Sequence, residues 1–366
     1  MRIGTVTEIK PLERRVGLTP AVASTLVAHG HEVFVQSGAG AGVGLSDADY
    51  SACGAQILPD ADAVFAAAET IVKVKEPQAV EIARLKPHHV LFTYLHLAPD
   101  PEQARGLMAS GCTAIAYETI VDEKGGLPLL TPMSQVAGRM AAQVGAANLL
   151  APAGGRGLLM GGVPGVAPAK VVVLGGGVSG FNAAEIAVGM RADVTIMDIS
   201  PAKLAMLDAH FEGRAKTLLA SRGALLELLP TADLVIGCVL VTGAAAPKLI
   251  RREDLKLMRP GSVLVDVSID QGGCFETSRP TTHADPTYVV DGVVHYCVAN
   301  MPGAAPHTST YALSAATTPY VLALADKGVE RALTDDPGFA SGLNVKAGRI
   351  VHPAVAAALD LPPVAA

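Results

Sequence analysis

The sequence predicts an α/β protein of two doubly wound domains, each a parallel sheet covered by helices. Three observations lead to this prediction. Short apolar runs typical of strands alternate with helix-like stretches along the chain, which favours parallel sheets. A glycine-rich turn joins one of these strands to a helix near the middle of the chain. Finally, 366 residues are enough for two domains that each bury a core.

The first domain is predicted to begin with residues 1–127. Its first strand is predicted at residues 1–6, and the later strand candidates are HEVFVQ, TIVKVK, HVLFTYLHL and TAIAYETI. Helices are predicted over 20–29 and 101–110. Asp100 precedes a proline, which is typical of a helix start because aspartate caps the helix and proline fits its first position.

The second domain is predicted over residues 128–305. A glycine- and proline-rich passage, 154–168, precedes the strand candidates KVVVLG, DVTIMD, ADLVIGCVL, SVLVDVS and VVHYCVAN. This series has the length and rhythm of a complete dinucleotide-binding domain. A helical stretch around 308–326 and the tail remain, so residues 306–366 are predicted to pack back onto the first domain.

The most informative segment is the G-x-G-x-x-G turn that follows the apolar strand 171–174. Gly175 would allow the sharp turn, Gly177 would let the backbone approach a pyrophosphate, and Gly180 would let helix pack on strand. The pyrophosphate would lie at the positive end of the next helix. Asp198, at the end of the next strand, would bind the adenosine ribose and repel a 2′-phosphate, which favours NAD over NADP. The alternative is a glycine-rich turn beside a solvated aspartate.

Composition argues against several classes of partner. Hydrophobic residues make up 50% of the chain and charged residues 17%, which predicts apolar surface buried between subunits. A net charge of −6 without a basic run argues against nucleic acid and anionic membranes. The five scattered cysteines include no C-x-x-C pair and are typical of buried thiols in a reducing compartment. A cytoplasmic protein is therefore predicted.

One segment tests that prediction. Residues 292–325 contain no charged side chain, a length that could span a bilayer. They also contain three prolines, two histidines and an asparagine. A buried strand followed by a buried helix is the better interpretation.

Longer strings along nearly the whole chain match a single enzyme family. They are TE and RRV (7–8, 14–16), GHEV (30–33), KVKEP (73–77), LFTYLHLA (91–98), AYET (116–119), PMSQVAG (132–138), GGVPGV (161–166), DQGG (270–273) and CVANMP (297–302). In these strings the chain resembles bacterial L-alanine dehydrogenases, and the match thins only after about Lys327. The resemblance implies reversible oxidative deamination of L-alanine to pyruvate and ammonia with NAD. It also implies a homohexamer and a Rossmann NAD-binding domain inserted into a Rossmann-like substrate domain.

Other functions remain as alternatives. The NAD(H)-binding component of a proton-translocating transhydrogenase shares the fold, the early Arg and Lys motifs and the NMP string. Residues 131–145 and the strand-end context of His96 favour alanine dehydrogenase. A silent NAD-binding protein is disfavoured by intact His96, Lys75 and Asp270. A hydroxy-acid dehydrogenase would be expected to show a different constellation of histidine and acid.

The resemblance assigns the substrate's carboxylate to Arg15 and Lys75. A guanidinium can hold a carboxylate through two parallel hydrogen bonds, although a surface arginine is the alternative from residue type alone. Lys75 is expected to contact both the carboxylate and the carbonyl of the substrate. Lys73, two residues earlier on the same predicted strand face, stays unassigned, and a solvated edge is the alternative for both lysines.

The resemblance also assigns the chemistry to His96 and Asp270. His96 ends an apolar strand, and an imidazole can exchange protons near neutral pH, as a general acid/base must. A hydrogen-bonded structural histidine is the alternative. Asp270 follows another strand end, where a carboxylate would stabilise the developing iminium or position water. Asp266, inside that strand, is not expected to be catalytic.

The remaining predicted contacts are with the cofactor. Ser134 is expected to cap a helix and contact phosphate. Lys203 is expected near the adenosine, with a helix-surface charge as the alternative. The full cofactor set implied by the resemblance is Ser134, Gly175, Gly177, Val178, Gly180, Asp198, Lys203, Val239, Leu240, Val267, Ser268, Ile269, Asp270, Arg279, Val298, Ala299, Asn300 and Met301.

The sequence departs from the family pattern in two places. Some members carry an adenine-contacting serine where this chain has Ala220, and only the neighbouring Ser221 could substitute for it. Some members also bind a metal through a Glu and a His on the late helix. These positions are Ala323 and Lys327 here, so no metal is expected.

Overall fold

The computed structural model describes residues 1–239 and 246–362. The chain forms two compact units: Met1–Met133 together with the segment from Ala305 onward, and Ser134–Ala304. These limits lie close to the boundaries predicted at 127/128 and 305/306. The substrate and NAD-binding roles of the two units stay predictions.

The strands are short and, within the described residues, form two sheets. In chain order they are β1 Arg2–Thr5, β2 Glu32–Gln36, β3 Gln56–Leu58, β4 Thr70–Val72, β5 Val90–Thr93, β6 Thr113–Ala116, β7 Lys170–Leu174, β8 Asp193–Asp198, β9 Ala215–Leu219, β10 Leu234–Gly237, β11 Val263–Asp266, β12 Thr287–Val290, β13 Val293–Tyr296, β14 Leu343–Lys346 and β15 Arg349–Ile350.

Most helices connect successive strands. In chain order they are α1 Pro20–Ala28, α2 Asp47–Ala52, α3 Ala61–Ala67, α4 Ala79–Ile82, α5 Pro101–Ser110, α6 Thr131–Asn148, α7 Val178–Gly189, α8 Pro201–Phe211, α9 Arg222–Leu228, α10 Pro306–Lys327, α11 Val329–Asp335, α12 Pro337–Ala340 and α13 Pro353–Ala358. The predicted start of α5 is confirmed, because the Asp100 carboxylate accepts the Gln103 N–H at 3.0 Å.

The sheet of the first unit has the order β15-β14-β6-β5-β4-β1-β2-β3 among the described strands. Strands β1 to β6 pair in parallel, as predicted. The expectation of a purely parallel sheet is wrong at one edge, where β14 runs antiparallel to β6 and to β15. Ala347 and Gly348 both have positive φ between β14 and β15, the backbone that a two-residue hairpin requires.

The sheet of the second unit has the order β12-β13-β11-β10-β7-β8-β9 among the described strands. All its pairs are parallel except that of β12 with β13. Val171 and Val173 face one buried cluster, and Val172 and Leu174 face the other. Both faces of β7 are therefore covered, which explains its unbroken apolar run.

The uncharged segment 292–325 forms β13 and most of α10, as predicted. Within the described ranges, no helix is both long and apolar enough to cross a membrane. All five cysteines are free thiols; Cys53 is partly exposed, so the expectation that all are buried is wrong there.

Candidate active site

The three side chains predicted to handle substrate follow neighbouring strands of the first sheet. Arg15 follows β1, Lys75 follows β4 and His96 follows β5, and these strands are adjacent and parallel. Ligand sites in such sheets form outside the carboxyl ends of the strands. The topology therefore gathers the three residues at one edge of the first unit.

Arg15 is buried, with a relative exposure of 2%. Its Nε and Nη2 donate to the two oxygens of Glu13 at 2.7 and 2.5 Å, and its Nη1 contacts the Met133 sulfur at 3.0 Å. Burial works against the charge, but Glu13 raises the pKa of Arg15. The guanidinium of Arg15 was expected to bind the substrate's carboxylate through two hydrogen bonds; here it makes such a pair with the carboxylate of Glu13. Sequence reasoning missed Glu13, although an acid two residues before the arginine was the available signal.

Lys73 and Lys75 lie beyond the end of β4, so the prediction that they share a strand face is wrong. Lys73 is completely buried, and its Nζ lies 3.1 Å from Glu8 Oε2 and 2.6 Å from Glu81 Oε1. Burial alone would lower the pKa of Lys73, but the two carboxylates raise it. A solvated edge is therefore wrong for Lys73, which has a structural role.

Lys75 has a different environment. Its side chain is 12% exposed, and its Nζ lies 3.7 Å from Glu76 Oε2. The Thr93 hydroxyl donates to the Lys75 carbonyl oxygen at 3.0 Å, which ties this loop to the end of β5. Glu8 also accepts the Val74 N–H at 2.7 Å. The backbone on the N-terminal side of Lys75 is thus fixed, while its ammonium group stays partly accessible.

His96 lies in the turn after β5 and not on the strand. Its φ is +49°, and its side chain is 43% exposed. Its ring stacks on Tyr94, with centroids 5.7 Å apart and planes 3° from parallel. The charge of Arg15 acts on Tyr94, although burial still raises the pKa of that phenol. Tyr94 therefore links two of the predicted residues, Arg15 and His96.

The fingerprint loop of the second unit has the predicted backbone geometry. Gly175 has φ +94°, which favours glycine. A Cβ on Gly180 would lie 1.7 Å from the Gly175 carbonyl oxygen, whereas a Cβ on Gly177 would meet nothing within 4 Å. The turn and the close packing are confirmed. The open side at Gly177 leaves the backbone accessible to a ligand.

Asp198 lies at the end of β8, against this loop. Its Oδ2 accepts the Gly176 N–H at 2.8 Å, and its Oδ1 accepts the Ser200 N–H at 2.9 Å. Lys203 Nζ lies 3.3 Å from Oδ2. Burial opposes ionisation, but these three partners hold the pKa of Asp198 below its ordinary value. The alternative of a solvated aspartate is wrong, because the residue is only 6% exposed.

Asp270 lies in a short 3-10 turn, Ile269–Gln271, beyond β11, and it is exposed. The sequence predicted that Asp270 directly follows the strand end. This is wrong, because β11 already ends at Asp266. Asp266, which was not expected to be catalytic, ends β11 and is fully buried. It accepts N–H groups of Ser268 and Cys274 and the Ser278 hydroxyl. Burial raises the pKa of Asp266 despite these bonds, and its role is structural.

Other predicted cofactor residues follow the parallel strands β10, β11 and β13. The Ser268 hydroxyl donates to the Val239 carbonyl oxygen at 2.8 Å, joining two of these loops. Asn300 has φ +60°. Leu240 lies outside the described residues. The described members of this group are Val239, Val267, Ser268, Ile269, Val298, Ala299, Asn300 and Met301.

Four further residues named from the sequence have defined positions. Ser134 lies inside α6, so it does not cap that helix from outside. Val178 is the first residue of α7. The Arg279 guanidinium lies 4.0 Å from the centroid of the Tyr288 ring. Ser221, next to Ala220, caps α9 by accepting the Ala224 N–H at 3.1 Å.

The residues present do not fit the metal that some family members carry. Ala323 offers no ligand, and Lys327 Nζ donates to Asp335 at 2.8 Å. No cluster of three or more His, Cys, Asp or Glu suited to a metal ion occurs in residues 1–239 and 246–362. Metal independence stays a prediction.

Comparisons with known proteins give one consistent result. The family model "Alanine dehydrogenase/PNT, N-terminal domain" matches residues 4–137, and its C-terminal counterpart matches 141–353. The chain is 59% identical to an alanine dehydrogenase of Halomonas elongata over 361 residues, covering 99% of this chain and 97% of the relative. It is 53% identical to an alanine dehydrogenase of Mycobacterium tuberculosis over 362 residues, covering 99% and 98%.

Solved structures agree. A structure of L-alanine dehydrogenase superimposes with a TM-score of 0.96 at 50% identity, covering 98% of this chain and 99% of that one. A transhydrogenase from Sinorhizobium meliloti has a TM-score of 0.83 at 24% identity, covering 96% and 100%. The second likeness concerns the fold alone.

Proposed function

The chain belongs to the alanine dehydrogenase/PNT family, and we propose that it is an NAD-dependent L-alanine dehydrogenase. The reaction is L-alanine, NAD⁺ and water to pyruvate, ammonium, NADH and a proton, and it is reversible. The observation that carries this proposal is near full-length identity of 50–59% to several alanine dehydrogenases. The transhydrogenase alternative has only a distant fold likeness in its favour.

We assign binding of the substrate carboxylate to Arg15 and Lys75. Both cations follow neighbouring parallel strands; Glu13 holds the guanidinium of Arg15, and the Thr93 hydroxyl fixes the backbone carbonyl of Lys75. The Arg15 side chain is therefore already ordered, and an ordered side chain loses little entropy when it binds a ligand. Such groups can hold L-alanine in one orientation, as hydride transfer from Cα requires.

We assign proton transfer to His96 and support of the developing positive charge to Asp270. When bound, NAD⁺ accepts the hydride that leaves Cα. His96 then takes a proton from the water that adds to the substrate iminium and returns a proton when ammonia leaves. The partly exposed imidazole can exchange protons with solvent. Asp270 is an exposed carboxylate, suited to stabilise the iminium or orient that water.

The proposed preference for NAD over NADP rests on Asp198. The carboxylate is ionised and almost buried beside Gly176. It would bind ribose hydroxyls and repel a 2′-phosphate at short range. Lys203 partly offsets the charge of Asp198, so NADP should still be used, but less efficiently than NAD.

We also propose a homohexamer that works in the cytoplasm. The hexamer is supported by the family resemblance and by the high share of hydrophobic residues, 50%. Five free cysteines are typical of a reducing compartment. Mass measurement in solution tests the assembly directly.

The decisive assay uses the purified protein alone with NAD⁺. L-alanine should give NADH, pyruvate and ammonium in equal amounts, while L-lactate or nucleotides alone should give none. NADH formed from L-lactate would indicate a hydroxy-acid dehydrogenase. Hydride exchange between nucleotides without alanine turnover would favour the transhydrogenase component.

A further inference from the structure

The backbone of His96 adopts a conformation that side chains rarely allow. Its φ of +49° lies in the left-handed region, which costs a non-glycine residue about 1–2 kcal/mol. Residues stay in this region only where surrounding groups hold them there, and such residues cluster at functional sites. The turn after β5 therefore needs a partner that holds it.

Glu118 provides that partner. It lies in the turn Tyr117–Thr119, directly after β6, the neighbour of β5. Its Oε1 accepts the His96 N–H at 2.6 Å, and both of its oxygens lie 3.2 Å from the Leu95 nitrogen. Hydrogen bonds to an ionised group are about twice as strong as neutral ones. One carboxylate thus fixes two successive amides of the strained turn.

Glu118 also faces the imidazole itself. Its Oε1 lies 3.9 Å from His96 Nδ1, too far for a hydrogen bond but close enough for its charge to act on the ring. The Tyr94 ring also restricts the imidazole by stacking on it. Tyr94 is itself held in place, because its hydroxyl donates to the Leu129 carbonyl oxygen at 2.6 Å. The charge of Glu118 also acts on His352. Burial lowers the pKa of His352, and the Glu118 carboxylate opposes this shift.

We propose that Glu118 is a positioning residue that acts through His96. The inference rests on the proposed function, in which His96 moves protons. Glu118 holds the turn that presents the imidazole, through its hydrogen bonds from the Leu95 and His96 amides. Glu118 itself exchanges no proton. Glu118 therefore orients the base through the backbone of its turn and not through a hydrogen bond to the ring.

Two substitutions separate these contributions. Glu118→Gln keeps an oxygen that can accept both amides but removes the charge, whereas Glu118→Ala removes both. Misplacement of a catalytic group by about 1 Å can cost about a hundredfold in rate. We expect kcat for L-alanine to fall about tenfold in the Gln variant and about a hundredfold in the Ala variant. Glu123→Gln, an exposed carboxylate in the same segment, is the matched control and should keep kcat.

A double-mutant cycle with His96→Gln distinguishes positioning from a general structural role. His96→Gln alone should lower kcat by about 10² to 10⁴. If Glu118 acts through His96, adding Glu118→Gln should change this residual rate by less than about twofold. The Kd for NADH, measured by nucleotide fluorescence, should stay unchanged in every variant.

Three results would overturn the inference. Near-normal kcat in Glu118→Gln, with His96→Gln impaired, would remove the role of Glu118 and leave the proposed function intact. Equal losses from Glu118→Gln in both backgrounds would show a structural effect independent of His96. Near-normal kcat in His96→Gln would remove the acid/base assignment and the inference with it, while alanine-dependent NADH formation would still identify the enzyme. If Glu118→Ala does not fold, the Gln variant decides.

Discussion

The two units hold their strand-end loops by different means. In the second unit, the fingerprint loop 175–180 depends mainly on its glycines: one has positive φ, and another packs where no Cβ fits, while Asp198 accepts the Gly176 N–H. In the first unit, the segments after β1 and β4 are fixed by buried charges. Lys73 lies between Glu8 and Glu81, and Glu13 holds the guanidinium of Arg15.

This difference follows from what each loop is proposed to bind. A pyrophosphate is recognised by backbone N–H groups, so its loop is rich in glycine. A small amino acid offers one carboxylate and one amine, which side-chain charges must hold in a fixed orientation. Substitutions that add a Cβ should therefore damage the fingerprint loop, and substitutions that remove a charge should damage the segments after β1 and β4.

The largest expected effect is on folding of the second unit. Gly180→Ala places a Cβ 1.7 Å from the Gly175 carbonyl oxygen, and backbone on both sides cannot yield without unpacking α7 from β7. We expect the free energy of unfolding to fall by about 3 kcal/mol, measured by urea denaturation. Gly177→Ala is the matched control, since its Cβ meets nothing within 4 Å.

That control should keep normal stability while its Kd for NADH rises about tenfold or more, because the new methyl stands where the pyrophosphate approaches. Normal NADH affinity in Gly177→Ala would contradict the proposed place of the pyrophosphate. Normal stability in Gly180→Ala would contradict the packing argument.

Next comes the buried lysine of the first unit. Lys73→Met leaves Glu8 and Glu81 buried without their cation, and breaking a buried ion pair in this way costs about 3–5 kcal/mol. Lys75→Met should leave stability nearly unchanged and instead abolish most alanine turnover, since Lys75 is proposed to bind substrate. Denaturation curves and kcat/KM for both variants test the contrast. An equal loss of stability in the Lys73→Met and Lys75→Met variants would contradict this prediction.

A smaller effect is expected on cofactor choice. Asp198→Ala removes the carboxylate that would face a 2′-phosphate, so the ratio of kcat/KM for NAD⁺ to that for NADP⁺ should fall about tenfold or more. Asp193→Ala, at the other end of β8 and paired with Lys216, should leave the ratio unchanged. Equal use of both nucleotides by the unmodified enzyme would refute the assignment of Asp198.

No effect is expected from metal removal. Ala323 and Lys327 offer no ligands where some family members bind a metal, and Lys327 is engaged with Asp335. Dialysis against a strong chelator should leave kcat and Tm unchanged. Activity lost on dialysis and restored by Mg²⁺ or Ca²⁺ would show that a site exists elsewhere in the chain.

The same comparison explains how much the sequence alone could predict. The roles of Gly175 and Gly180 were predictable because they depend on spacing within one short segment. The opposite fates of Lys73 and Lys75 were not, because the partners of Lys73 come from separate elements, Glu8 at 65 residues and Glu81 at 8 residues along the chain. Residue type and alternation place both lysines alike, and only the folded chain shows that one is completely buried.

Local pattern also failed where elements were short or irregular. Strands β14 and β15 span four and two residues, and the sequence showed only a tail there. His96 was expected at a strand end, whereas the chain turns into positive φ after Thr93. Nothing in the local sequence indicated that Glu118 holds this turn, because the contact joins residues 22 positions apart.

The central claim is that proton transfer belongs to the first unit and nucleotide affinity to the second. His96→Ala tests it most directly, by measuring kcat for L-alanine deamination and the Kd for NADH on the same preparation. The account predicts a fall in kcat of about 10² to 10⁴ with an unchanged Kd for NADH. A variant that keeps near-normal kcat, or that loses NADH affinity as much as turnover, would contradict it.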